Sequence, residues 1–97
     1  MIDLNDIIYF QAENKNIYVV TRNGYTKENT SLTKIEAKLP KEQFFRIHRT
    51  CIVNLSYIKS FTKERLLLDT GVELPISRRR FTAFEKAFSK NLSEANK

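Results

Sequence analysis

Apolar residues fall along this chain in short bursts separated by polar breaks. IIYFQAEN opens on an apolar run, and IYVVTR follows after a polar NKN. Both are rich in β-branched and aromatic side chains, which suit a pleated, half-buried surface, so they predict two strands joined by a tight turn at Glu13 to Asn16. Asn23-Gly24 then separates IYVVTR from YTKENT and predicts a type I′ hairpin, whose positive φ angles Asn and Gly tolerate.

The period changes in TSLTKIEAKLP. Leu32, Ile35 and Leu39 recur at helical spacing, Thr30 and Ser31 are candidate N-caps, and Pro40 forbids continuation, so one short amphipathic helix is predicted. From Phe44 to Ser77 the bursts FFRIH, CIVNL, YIKSFT, RLLLD and VELPIS predict five short strands in stacked antiparallel sheets. Phe81, Phe84, Phe88 and Leu92 then form one stripe on a C-terminal helix capped by Ser77, with a polar tail from about residue 90 expected to fray. The expectation is a mainly β fold: an elongated stack of small antiparallel sheets with a short central helix and a C-terminal helix.

With 97 residues, 41% of them hydrophobic, the chain is long enough for one domain over 1–97 that folds without disulfides or a structural metal. One cysteine and one histidine are too few for a closed zinc site, so no metal or cofactor is expected. No run approaches the ~20 apolar residues that span a bilayer, and MIDLNDII lacks the basic start of a signal peptide, so a cytoplasmic setting is expected.

Charge changes the picture more. The formal net charge is +6, and residues 41–80 hold nine Lys/Arg against four Asp/Glu, whereas residues 1–40 hold five of each. A concentrated basic excess marks an anionic partner. Its first part is RIHRT, which also holds the only histidine. His48 and Cys51 lack an evident third group to orient the imidazole, so a nucleophilic pair is disfavoured and Cys51 reads as a small buried apolar residue. Along FFRIH the alternation turns Phe45 and Ile47 inward and Arg46 and His48 outward. Arg49 and Thr50 fall in the turn that follows, where a guanidinium can reach a guanine edge and Thr, His or Arg can bind phosphate. An ordinary solvated basic turn is the plain alternative.

The second basic cluster, SRRR, places Arg78, Arg79 and Arg80 in the first turn of the last helix, where the macrodipole disfavours cations. Such a turn makes sense if an anion sits there, unless the arginines pair with Glu73 or Glu85. Lys15 and Asn16, in the NKN turn, are a weaker third contact. The aromatic residues read as core, without the pattern of an RNA-recognition motif.

The order IIYFQAENKNIYVV, SLTKIEAKLP, FFRIHRTCIVNLSYIKSF and LPISRRRFTAF resembles LytTR-type DNA-binding domains, the output modules of many bacterial response regulators, over nearly the whole chain. The resemblance implies three small antiparallel sheets and loops that enter successive major grooves of double-stranded DNA. It implies base reading by Arg49 and Arg79, with Asn16 at the third, variable position. Arg46, His48, Thr50, Ser77 and Arg80 would then hold the backbone, and the charge reading adds Lys15 and Arg78 to them. It also implies repeated half-sites, a weak homodimer on DNA and either an N-terminal receiver domain outside this chain or a small stand-alone regulator. The alternative is a basic module that docks an acidic protein or an anionic surface.

Overall fold

A computed structural model describes residues 3–95. The first three strands, β1 (Ile7–Glu13), β2 (Asn16–Thr21) and β3 (Gly24–Glu28), form a meander. Helix α1 (Leu32–Lys38) follows, then β4 (Phe44–His48) and β5 (Cys51–Asn54). Strands β6 (Ile58–Phe61), β7 (Arg65–Leu68) and β8 (Glu73–Pro75) precede a 3-10 turn at Arg78–Arg80 and helix α2 (Phe81–Ala95). All strand pairs are antiparallel, and the Cα extents are 33 × 29 × 26 Å.

The strands make two sheets where the resemblance implies three. One has the order β3-β2-β1-β5-β4 and the other β6-β7-β8. The meander and the β4–β5 hairpin merge because β1 pairs with β5, with Tyr9 opposite Val53, Phe10 opposite Ile52 and Gln11 opposite Cys51.

Around β5 both faces of the larger sheet are covered, which explains why every residue of that strand is buried, whereas the edge strand β3 is exposed along its length. On one face, Ile8, Ile47 and Val53 pack with Leu66, Leu68 and Leu74 of the smaller sheet and Phe84 of α2. On the other, Ile7, Phe10, Phe44 and Ile52 pack beneath Leu32 of α1. A register shift between Ile7 and Tyr9 interrupts the alternation of faces, so that Ile7 packs with Phe10 in one cluster while Ile8 packs in the other, with Tyr9 against it. Asn54 is buried among these residues with both ends of its amide bonded: Nδ2 donates to the Ile7 carbonyl at 2.9 Å, and Oδ1 accepts from Ser56 N–H at 3.0 Å.

Ser31 caps α1 by accepting from Lys34 N–H, as its position predicts. Two local expectations change. The hairpin after β2 forms, but its turn is Arg22-Asn23, and the positive φ of 131° falls on Gly24 alone. A type I′ turn needs positive φ at both central residues, and that geometry belongs instead to Asn14 and Lys15, at 51° and 68°. The second change is at Ser77, which precedes the 3-10 turn without a side-chain cap hydrogen bond. Its backbone N–H donates instead to the Ile47 carbonyl at 2.7 Å. Along α2 the Phe stripe is inward, with Phe84 fully buried, while Leu92 is 48% exposed and ends the packed face early. The helix is continuous to Ala95, and Asn96 and Lys97 of the expected frayed tail lie outside the described residues.

Candidate nucleic-acid interface

Three turns meet at one end of the larger sheet. The Asn14-Lys15 turn closes β1 and β2, and the Arg49-Thr50 turn closes β4 and β5. Because β1 and β5 run antiparallel, the end of one strand lies beside the start of the other, and Ala12 N–H donates to the Thr50 carbonyl at 2.9 Å. The SRRR segment joins them through β4: besides the bond from Ser77 to Ile47, Arg80 Nη1 donates to the Arg46 carbonyl at 3.4 Å. Backbone and strand register therefore bring together the three segments that the sequence singles out.

Arg49 is exposed at the tip of its turn, and Arg78 and Arg79 are exposed in theirs. Among the described residues none of these three guanidinium groups has a hydrogen-bonding or ion-pair partner. Pairing of the arginine cluster with Glu73 does not occur, since Glu73 pairs with Arg65 at 3.3 Å. Arg78 shares a shallow cleft with Lys63, Glu64 and Glu85, with no ion pair formed. Lys15 is exposed, whereas Asn16 is half-buried and donates from Nδ2 to the Asn14 carbonyl at 3.3 Å.

His48 and Thr50 brace the central turn. Thr50 N–H donates to His48 Nδ1 at 3.2 Å, and the Thr50 hydroxyl lies 2.8 Å from the same nitrogen. An accepting Nδ1 places the proton of a neutral ring on Nε2.

The turn also sets His48 and Cys51 in register across the β4–β5 ladder. This is not an activated pair, because Thr50 Oγ1 lies between them, 3.7 Å from Sγ, and the thiol donates to Gln11 Oε1 at 3.1 Å. Burial pushes the Cys51 thiol above its ordinary value, against the smaller opposing effects of its bonds to Thr50 and Gln11. A thiol held protonated is a poor nucleophile. Among the described residues no group of His, Cys, Asp or Glu side chains is placed to hold a metal ion. Nor is any helix long and apolar enough to cross a membrane.

Arg46 departs from its expected outward position. It shares a sheet face with Phe44, and α1 covers that face, leaving its side chain 15% exposed. Nη1 donates to Thr33 Oγ1 at 3.2 Å and to Glu36 Oε1 at 3.3 Å, and Nη2 donates to the Arg49 carbonyl at 2.7 Å. Thr33 and Glu36 are residues that sequence reasoning missed. The available signal was Phe44: an apolar residue two positions before Arg46 on the same face shows that something covers that face.

The sequence matches the LytTr DNA-binding domain family over residues 1–89. It is 37% identical over 84 residues to the sensory transduction protein LytT of Bacillus subtilis, covering 80% of this chain and 34% of that protein. It is 34% identical over 89 residues to the transcriptional regulatory protein YpdB of Escherichia coli K12, covering 86% of this chain and 36% of that protein. The chain thus spans about a third of the length of these curated relatives. A solved LytTr DNA-binding domain from Bacillus cereus superposes with a TM-score of 0.81 at 31% identity, covering 89% of this chain and 84% of that one. With the family matched over both sheets, α1, all three turns and the first part of α2, this chain belongs to the LytTr DNA-binding domain family.

Proposed function

We propose that this chain is the duplex-reading module of a bacterial transcription regulator and performs no catalysis of its own. The observation that carries this reading is the convergence of three turns on one sheet end, with Arg49, Arg78 and Arg79 exposed and unpaired among the described residues. Arg49 and Arg79 read bases, since a guanidinium on a short turn presents two parallel donors to a guanine edge. Asn16 and Lys15 make the third, weaker contact, at base and backbone respectively. His48 and Thr50 face the phosphates beside Arg49. Ser77, Arg78 and Arg80 hold the backbone around Arg79, where a 3-10 turn without a side-chain cap leads into α2 and favours an anion. Arg80 also anchors its own loop to β4.

The partners in this reading are double-stranded DNA with repeated half-sites, a second copy bound weakly alongside, and a receiver domain elsewhere in a cytoplasmic protein. LytT is described as a sensory transduction protein and YpdB as a transcriptional regulator, which supports a signal-coupled role.

Selection from random duplexes at roughly physiological salt, followed by titration of the selected duplex against a scrambled one, tests the proposal. Enrichment of a repeated motif is expected. Equal affinity for the scrambled duplex and for heparin would overturn base reading in favour of a basic surface that docks an acidic protein or membrane.

A further inference from the structure

We infer that Arg46 is a positioning residue that locks the Arg49 turn to helix α1, and that Thr33 and Glu36 share this task. The inference rests on the proposal that Arg49 reads bases. A guanidinium has five N–H donors. In Arg46 three of them are bonded to Thr33, Glu36 and the Arg49 carbonyl, and the Nε donor is buried without a partner. Little of this cation remains for a phosphate.

The direction of the bonds matters more than their number. The strongest contact by length, 2.7 Å, goes to the backbone of Arg49 itself, so it fixes the peptide plane from which the Arg49 side chain departs. The other two run to α1, which is held to the sheet by Leu32. Arg46 thereby spans from a packed helix to the tip of an exposed turn. Its own carbonyl accepts from Arg80, and the next carbonyl along β4, that of Ile47, accepts from Ser77 N–H. The two arginine loops are consequently referenced to adjacent peptides of one strand. A site that reads bases needs such support, because a turn free to move by about 1 Å loses its bidentate geometry.

Charge and positioning predict opposite effects at Glu36, whose side chain is 46% exposed, so that an isosteric neutral replacement removes little packing. If Glu36 acted on DNA only through its charge, Glu36→Gln would raise affinity for every duplex. Acting through Arg46, Glu36→Gln loosens the turn and lowers the ratio of selected-duplex to scrambled-duplex affinity, by about threefold or more given what one bidentate contact contributes. Thr33→Val and Arg46→Lys should lower the same ratio, since lysine keeps the charge and loses the fork.

The experiment measures both affinities for wild type, Glu36→Gln, Thr33→Val and Arg46→Lys, together with backbone amide order of the Arg49-Thr50 turn by NMR in the free proteins. Reduced turn order with reduced discrimination, and an unchanged salt slope on the scrambled duplex, is the expected result. Unchanged turn order in Glu36→Gln and Arg46→Lys would overturn the positioning role whatever DNA does. Full discrimination by Arg46→Lys would also overturn it and return Arg46 to the phosphate contacts. Wild-type protein without sequence preference, combined with a loosened turn in the variants, would overturn the base-reading proposal on which the role of Arg46 depends.

Discussion

The Cys51 thiol donates to Gln11 Oε1 at 3.1 Å across the ladder that pairs β1 with β5, where the two residues are register partners. A polar side chain thus meets the fully buried sulfur just behind the Arg49-Thr50 turn. Burial raises the thiol above its ordinary value of 9.0, and Tyr9 is raised above 10.0, first by its own burial and then by the nearby Cys51 charge.

Stability should therefore fall in alkali. Below pH 9 the thiol is protonated in both folded and unfolded chains, and its contribution is complete. As pH rises past 9 the unfolded chain loses the proton first, and stability is lost until the raised folded value is passed. Tyr9 adds a similar loss above pH 10. Urea unfolding from pH 8 to 11 should show this decline, and Cys51→Ala should make it shallower while lowering stability near pH 7 by about 1 kcal/mol through the lost bond and small gap. Iodoacetamide at pH 8 should label Cys51 only as the protein unfolds; rapid native labelling would contradict the buried thiol.

The aromatic cluster on α2 makes a second contrast. Phe84 is fully buried and meets Phe61 edge-on at 5.0 Å, with Phe45 at 5.9 Å and Phe88 stacked at 6.0 Å. Phe84→Ala should destabilise the domain by about 3–5 kcal/mol. Leu92→Ala, in the same helical stripe but 48% exposed, should change stability by less than about 0.5 kcal/mol. Thermal unfolding of the two variants side by side checks the claim that packing stops before Leu92.

Much of this arrangement was legible because strand and helix periods are local. The alternation in FFRIH and the spacing of Phe81, Phe84 and Phe88 follow from backbone geometry alone. Merging of the β1–β3 meander with the β4–β5 hairpin was not legible, since pairing between Gln11 and Cys51 is set by tertiary contact forty positions apart. For the same reason Arg46 read as an outward cation: alternation says which residues share a face, but not that α1 covers it. The Asn23-Gly24 turn was misplaced by one position because Gly24 supplies its positive φ from the first residue of β3.

Lys15 carries both a strained backbone and a candidate phosphate contact. Its φ of 68° is left-handed, a conformation that costs a residue with a Cβ about 1 kcal/mol relative to glycine. Lys15→Gly should accordingly be more stable than Lys15→Ala by about 1 kcal/mol, while both lose the same DNA affinity and flatten the salt dependence equally. Equal melting temperatures would deny the strain, and unchanged salt slopes would remove Lys15 from the interface.

Arg49, Arg79 and Arg78 are all exposed and cationic, so net charge alone predicts that each alanine variant behaves alike. Geometry predicts otherwise. Arg49 sits on a two-residue turn held by Arg46 and His48, which suits a fixed bidentate contact. Arg78 opens the 3-10 turn in a cleft shared with Lys63, Glu64 and Glu85, away from the Arg49 turn's bracing bonds. The resemblance assigns base reading to Arg79 rather than to Arg78, so a diffuse phosphate contact is proposed for Arg78. Arg49→Ala and Arg79→Ala should each lose about 1–3 kcal/mol on the selected duplex and relax preference at one base pair. Arg78→Ala should weaken selected and scrambled duplexes alike and lower the salt slope by about one. Titrations of the three variants at two salt concentrations separate these outcomes. A uniform loss in all three would mean that the cluster acts as charge alone, and that the hydrogen bonds holding the Arg49 turn serve folding rather than reading.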